Sequence, residues 1–395
     1  MSRFVLGGAA AIAGIGATEF SKQSGRSELR LACEAITAAL ADAGLRPAEV
    51  DGLCTYSLDH NIESEVFRNI GGRELKFFSR VHYGGGAACA TVLQAALAVQ
   101  AGLAEVVVVY RAMNERSEYR FGSGLMPAAH VVTAELVQFG WYMPYGLMTP
   151  ASWVAMLARR YMHESGATSA DFGRVAVTMR EHAARNPAAW FHGKPITLAE
   201  HQASRPICEP LRLLDCCQES DGAVALVVTS TERARGLRQP PAVIAAAAQG
   251  AASDQQQMTS YYRADIARLT EVELVARQLW AQSGLAPADM QTAVIYDHFT
   301  PLVLMQLEAY GFCDRGAAPQ FVRDGQIGLG GRLPVNTHGG QLGEGYIHGL
   351  NGVAEGVRQI RGTSCNPVAA VEHVLVTAGT GVPTSALILG RGTRR

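Results

Sequence analysis

From Asn336 to Gly349 the chain reads NTHGGQLGEGYIHG, with seven polar or ionisable side chains set among five glycines. A stretch this polar and this free in its backbone is costly if it merely connects elements, so it is read as a site. A second candidate is Tyr296-Asp297-His298-Phe299, which ends the apolar run TAVIY. Strand ends in α/β sheets are where sites collect, although polar aromatics also close buried strands structurally. A third is Gly84-Gly85-Gly86, which runs into the helical stretch AACATVLQAAL. Backbone N–H groups at such a helix start can face an anion, and glycines there serve close packing equally well. Ala378-Gly379-Thr380-Gly381 ends the run HVLVT and offers further backbone donors.

Several chemistries find no support in these residues. No GxGxxG follows a strand with an acidic residue downstream, and no Walker lysine is present. Lys22, Lys76 and Lys194 are the only lysines, and none lies in a glycine-rich segment, which disfavours a Schiff-base mechanism. His298, His338 and His348, with Asp297 or Glu344, could supply metal ligands, but their spacing matches no usual zinc pattern. A formal net charge of −1 gives no general pull toward nucleic acid or acidic membrane. No apolar run reaches the roughly 18 to 20 residues of a membrane span. The eight cysteines show no CxxC pair, as expected of reduced thiols in a cytoplasmic protein. Arg3 followed by the apolar run Phe4–Ala17 has the makings of a leader, but Gly7, Gly8, Gly14 and Gly16 interrupt it and favour a buried first strand.

The elements that must position the candidates are organised by a repeat. ADAGLRPAEVDGLCTY at 41–56 and AQSGLAPADMQTAVIY at 281–296 share six identities at a constant offset of 240. Each copy closes a helix with glycine at the C′ position (Glu28–Ala43 and Glu271–Ser283) and then turns through proline into a strand. An apolar strand precedes each helix, Ala10–Gly16 and Ala242–Gly250. Gly84–Gly86 then leads through the helix Ala87–Ala101 to the strand Glu105–Tyr110. In the second copy Gly339–Gly340 leads through a helix over Gly345–Ile360 to His373–Thr377. Continuous apolar strands such as VVVVY are those of sheets covered on both faces. Two similar α/β halves packed in layers follow, residues 1–235 and 236–395. From about 112 to 210 the pattern breaks into an inserted helical lobe rich in aromatics and Met, with amphipathic helices near 150–165 and 170–185. Such a lobe covers an apolar ligand, a subunit contact, or simply the core. At 48% hydrophobic and 17% charged residues, part of the surface is expected to be hidden against another subunit.

These segments together resemble the thiolase superfamily over essentially the whole chain, in its lipid-transfer-protein (sterol-carrier-like) branch. RRYMHESGATSADFG, PLRLLDCCQESDGAVALVVTS, THGGQLGEGYIHG and HVLVTAGTGVPTSALILG occur in that family's order. The resemblance implies a duplicated five-layer α/β/α/β/α fold. It also exposes departures. Gly86 stands where a thiolase carries its nucleophilic Cys, Tyr296 stands in the NEAF- or HDCF-like motif, and Tyr346 replaces the histidine of the GHP motif. Ala378 stands for the second Cys. Without the nucleophile no acyl-enzyme forms. The blocks YGGGAACATV, YDHFTP and NTHGGQLGE-YIHG are similar to those of actinobacterial steroid side-chain-cleaving aldolases. That resemblance implies retro-aldol cleavage of a 17-hydroxy-steroid acyl-CoA to a 17-keto steroid and propionyl-CoA, with Tyr296 and Tyr346 as the catalytic pair. Tyr346 is assigned to deprotonate the hydroxyl and Tyr296 to protonate the enolate carbon. Asp297, His298, His338, His348, Gly86, Gly379 and Gly381 are the expected supporting and oxyanion groups, the histidines helping to favour a phenolate. No cofactor is expected beyond acyl-CoA as substrate. The implied partners are a second copy in a homodimer and the DUF35 domain (zinc ribbon plus OB fold) of a MaoC-like enoyl-CoA hydratase. The alternatives are a non-catalytic acyl-CoA or lipid-binding protein, and a thiolase or acyltransferase using Cys89.

Overall fold

A computed structural model of the chain describes residues 7–118, 120, 140–256 and 258–392. Residues 4–6 of the expected first strand and 119 and 121–139 of the inserted lobe lie outside the described residues.

Nine strands form one mixed sheet. They are β1 (Ala10–Ala17), β2 (Gly52–Tyr56), β3 (Phe77–Val81), β4 (Val106–Asn114), β7 (Asp221–Ser230), β8 (Ala242–Gly250), β9 (Thr292–Val294), β10 (His373–Thr377) and β11 (Thr384–Arg391). A short separate hairpin pairs β5 (Pro206–Cys208) with β6 (Leu211–Arg212). The sheet order is β3-β2-β4-β7-β1-β8-β11-β10-β9. Read outward from the centre, the two sides are the same arrangement. β1 lies antiparallel to β7 as β8 does to β11, and β2 lies parallel to β4 as β9 does to β10. Where β3 runs parallel to β2, Val335 bridges Ala293 in the same sense. The two copies meet where Ala11 and Ile12 pair with Val243 and Ala242. The offset of 240 is thus a structural duplication.

Side-chain alternation divides the core into three parts. Val106, Val108 and Tyr110 of β4 pack with the helix Glu28–Ala43, while Val107, Val109 and Met113 face the opposite layer. That middle layer holds the helices Ala88–Gln100 and Leu350–Arg361, clasped between the two sides of the sheet. Leu375, Ala386 and Ile388 turn instead to the helices Thr270–Ser283 and Thr300–Ala309. Helix, sheet, helix, sheet, helix is the five-layer α/β/α/β/α order. Gly44 and Gly284 close their helices with φ of 77° and 71°, the left-handed conformation that glycine adopts without a Cβ clash.

The lobe carries amphipathic helices at Pro150–Ser165 and Ser169–Ala184, packed on the outer helical layer. Two boundaries differ clearly from expectation: β4 runs on to Asn114 where the strand was expected to end at Tyr110, and a helix starts late. The helix after the second glycine-rich stretch starts at Leu350 and not at Gly345, because His348 (φ 48°) and Gly349 (φ 86°) turn the chain left-handed. Only a single helical turn, Gly340–Gly343, forms before it.

Candidate active site

The duplication brings the glycine-rich segments to one place. Gly84–Gly86 follows β3, and Asn336–Gly349 follows Val335, which occupies the equivalent position of the other half. Both lead into the middle-layer helices, and β9 and β10 deliver Tyr296 and Ala378–Gly381 alongside them. A cavity of about 1130 Å³ opens there, walled by Tyr296, His298, Tyr346, His348, Gly84–Gly86 and Gly379–Gly381. Leu213, Leu214, Ile207, Phe191 and Met258 from the lobe and its neighbours extend it as an apolar chamber.

The two tyrosines meet in this cavity. Tyr296 Oη donates to Tyr346 Oη at 3.1 Å, with the rings set edge to face. β9 stops being a ladder two residues before Tyr296, and side chains hold the chain beyond it. Asn336 accepts from the Ile295 N–H and donates to the Ile295 carbonyl at 2.8 and 2.7 Å. The Tyr296 N–H donates to Thr377 Oγ1, which donates to Gln306 Oε1, while Gln306 Nε2 donates back to the Tyr296 carbonyl. Ser220 Oγ accepts from the Tyr346 N–H.

The glycines make room for the phenol. A Cβ on Gly85 would lie 1.9 Å from Tyr296 Oη, and one on Gly349 would lie 2.7 Å from its ring. On Gly86 a Cβ would meet the Pro383 carbonyl oxygen at 2.1 Å. A cysteine at position 86 therefore does not fit this backbone.

Burial pushes both phenols well above their ordinary pKa; Tyr296 adds to the rise at Tyr346, while the hydrogen bond to Tyr346 partly offsets the rise at Tyr296. His298 and His348 supply no positive charge to counter this, which leaves them the part of neutral donors. His298, edge-on to the Tyr296 ring, is pushed down to about 3 by burial. His348 is held well below its ordinary value by burial and by Arg111. Arg111 Nε donates to His348 Nδ1 at 3.1 Å, so the neutral ring carries its proton on Nε2, the nitrogen next to Gly84. Arg111 is itself tied to Asp59.

Two expected site residues stand behind the cavity wall. Asp297 accepts from the Gln341 N–H at 2.7 Å and from the Leu342 N–H, which pins the glycine-rich loop. Its carboxyl is raised to about 6 by burial. His338 is fully buried, with Nε2 3.8 Å from Glu344 Oε2, and does not line the cavity. Gly379 and Gly381 do line it, but their N–H groups are committed to Gly85 O and Gly379 O, so they are not free oxyanion donors. Gly86 remains a wall residue whose carbonyl accepts from Ser385 Oγ. Cys89 is fully buried, its thiol donating to Val376 O and raised far above its ordinary pKa by desolvation, the state of an inert thiol.

Sequence reasoning missed Gln306, Thr377 and Asn336, which fix the tyrosine backbone, and Arg111, which sets the His348 tautomer. Asn336 lay within a candidate motif but was given no role of its own. Gln306 and Arg111 carry no local signal, because their partners are 10 and 237 residues away.

Fold and site define a thiolase-type protein that has lost its sulfur nucleophile. The profile of the thiolase C-terminal domain-like family matches residues 250–391. The fold is shared with human mitochondrial 3-ketoacyl-CoA thiolase, at a TM-score of 0.69 and 14% identity, covering 99% of this chain and 100% of that one. Within that class the likeness is much narrower. A steroid side-chain-cleaving aldolase of Thermomonospora curvata is 66% identical over 98% of this chain and 99% of its own length. The 17-hydroxy-3-oxo-4-pregnene-20-carboxyl-CoA lyase of Mycobacterium tuberculosis is also 66% identical, over 98% of this chain and 100% of its own. The solved structure of the Ltp2-ChsH2(DUF35) aldolase superposes with a TM-score of 0.94 at 64% identity, over 99% of this chain and 100% of that one. The chain belongs to the steroid side-chain-cleaving aldolase family of the thiolase superfamily.

Proposed function

We propose that the protein is a retro-aldolase that cleaves a 17-hydroxy-steroid acyl-CoA to a 17-keto steroid and propionyl-CoA. The observation that carries this reading is the pair of phenols 3.1 Å apart in a large apolar cavity, at a site whose backbone leaves no room for a cysteine. Tyr346 takes up the proton of the β-hydroxyl as it passes its own on, and the Cα–Cβ bond breaks. The electron pair moves onto the thioester as an enolate, and Tyr296 returns a proton to Cα. His348 Nε2–H is a neutral donor suited to the enolate oxygen, since a neutral imidazole stabilises charge without surrendering its proton. No cofactor takes part; acyl-CoA enters as substrate.

The likeness to an aldolase solved with a DUF35 component supports a DUF35-domain partner. We assign that domain to a MaoC-like enoyl-CoA hydratase, which would make the β-hydroxy thioester, and place a second copy of the chain at the core of the assembly. Eight cysteines without a disulfide suit a reducing cytoplasm, and among the described residues no helix is long and apolar enough to cross a membrane.

The test is to incubate the chain and a DUF35-domain protein with a 17-hydroxy-steroid acyl-CoA and to follow ketone and propionyl-CoA. Tyr296→Phe and Tyr346→Phe are each expected to lower turnover at least 100-fold with the fold retained. Full turnover in both variants would remove the assignment.

A further inference from the structure

A retro-aldol step needs a proton acceptor that works near neutrality, and the phenols alone do not provide one. Both are pushed toward the protonated form, and His298 and His348 bring no cation to offset it. The cavity wall holds four carboxylates among the described residues: Glu28, Glu115, Glu118 and Glu219. Three are engaged. Glu28 accepts from the Asn114 N–H and pairs with His60, Glu118 accepts from Asn114 Nδ2, and Glu219 is ion-paired with Arg120. Glu115, immediately after β4, is different. Its Oε2 is sheltered from solvent and has no hydrogen-bond partner among the described residues. A buried carboxylate oxygen without a donor is costly, and such groups gather where chemistry requires them.

We propose that Glu115 is the terminal proton acceptor of the Tyr296–Tyr346 pair. It takes up, by way of Tyr346, the proton that leaves the substrate hydroxyl. The inference rests on the retro-aldolase reading above. As the substrate O–H gives its proton to Tyr346 Oη, Tyr346 passes its own through water in the cavity to the Glu115 carboxylate. The carbonyl forms, the Cα–Cβ pair becomes the thioester enolate, and Tyr296 protonates Cα. Glu115 then returns its proton through Tyr346 to Tyr296. One proton leaves oxygen, one arrives at carbon, and the enzyme ends as it began.

The surroundings suit this cycle. Burial raises the Glu115 carboxyl to about 8, with Glu219 and Asp221 adding to the rise and Arg111 and Lys22 opposing it. Its charge is felt by both phenols and by the Cys217 thiol. Lys22 is held by Gln218 and the Glu219 carbonyl and is itself lowered to about 8, by burial and then by Arg116. Glu115 and Lys22 therefore exchange protons in the same range, whereas both phenols stay protonated and His298 and His348 stay neutral.

The experiment is the pH dependence of kcat/KM for the chain with its DUF35-domain partner and a 17-hydroxy-steroid acyl-CoA. Wild type is expected to gain activity with rising pH up to about 8 and then level. Glu115→Gln is expected to lose that limb and about 100-fold or more in kcat, with KM within about threefold. Glu115→Asp is expected to recover at least about tenfold of the loss, with the limb displaced. A Gln variant within about threefold of wild type, its limb unmoved, overturns the proposal. If the Gln variant fails to fold, an Asp variant with wild-type rate and profile overturns it equally. An inactive wild type removes the retro-aldolase reading itself. Active wild type, inactive tyrosine variants and an active Glu115→Gln remove Glu115 alone.

Discussion

The proposed exchange of sulfur for phenols is legible at single residues. A Cβ on Gly86 would meet the Pro383 carbonyl, and Gly85 leaves the space that the Tyr296 hydroxyl fills. Gly85→Ala is expected to keep the fold but swing the phenol away, lowering kcat about 100-fold, since a displacement of an ångström at a reacting group costs that much. Steady-state kinetics beside a circular dichroism spectrum check it. His298 makes a second prediction. Its folded pKa is about 3 against 6.5 unfolded, so between those values the unfolded chain binds the extra proton. Its contribution is therefore a loss of stability as pH falls below 6.5, at up to about 1.4 kcal/mol per pH unit. In urea titrations between pH 6.5 and 4.5, His298→Asn is expected to show a shallower decline than wild type. Identical slopes would mean that the imidazole is charged in the fold. Residue type and density singled out the segments that hold both tyrosines and their glycines, and the resemblance to the aldolases picked the two phenols out of them. The sequence did not reveal the tautomer of His348, which depends on Arg111 arriving from another strand.

At the scale of elements, strands and helices were legible because both signals are local. Apolar runs, glycine stops and proline turns placed Ala242–Gly250 and His373–Thr377 at their observed bounds. The fastening between elements was not legible, for it consists of amides and hydroxyls whose partners are remote. The loop of Tyr296 backbone, Thr377 and Gln306 joins the ends of β9 and β10 to the helix Thr300–Ala309. Gln306→Met keeps the length of the side chain but strands the Tyr296 carbonyl and the Thr377 hydroxyl. The expected cost is about 1–3 kcal/mol, read as a lower denaturation midpoint at unchanged m-value. Because Tyr296 loses its anchor, kcat is expected to fall while KM holds. A stability loss with full kcat would show the clamp to be purely structural.

For the whole molecule, duplication explains why one cavity gathers residues from both halves, and the repeat at 240 makes that visible before any coordinates. What surrounds the assembly is not encoded in a repeat, but the sheet itself has an unfinished edge. β3 is the terminal strand of the sheet order, and Phe78 on it is 62% exposed. Flanking Arg80 is tied to Glu63 and so leaves the edge less guarded by free charge. An open edge with an exposed aromatic pairs readily with another strand unless it is protected. In the homodimer proposed above, β3 of each copy is the natural seam. The expected mass in solution by light scattering is twice the 42.0 kDa of the chain. Phe78→Asp, which sets like charges against each other across the seam, is expected to give a folded particle of single-chain mass. A Phe78→Asp variant that stays dimeric would move the interface elsewhere, and a monomeric wild type would remove it. Because the Gly84–Gly86 turn follows directly from β3 and Gly85 packs against the Tyr296 hydroxyl, the monomeric variant is also expected to lose turnover, through slackening of that turn.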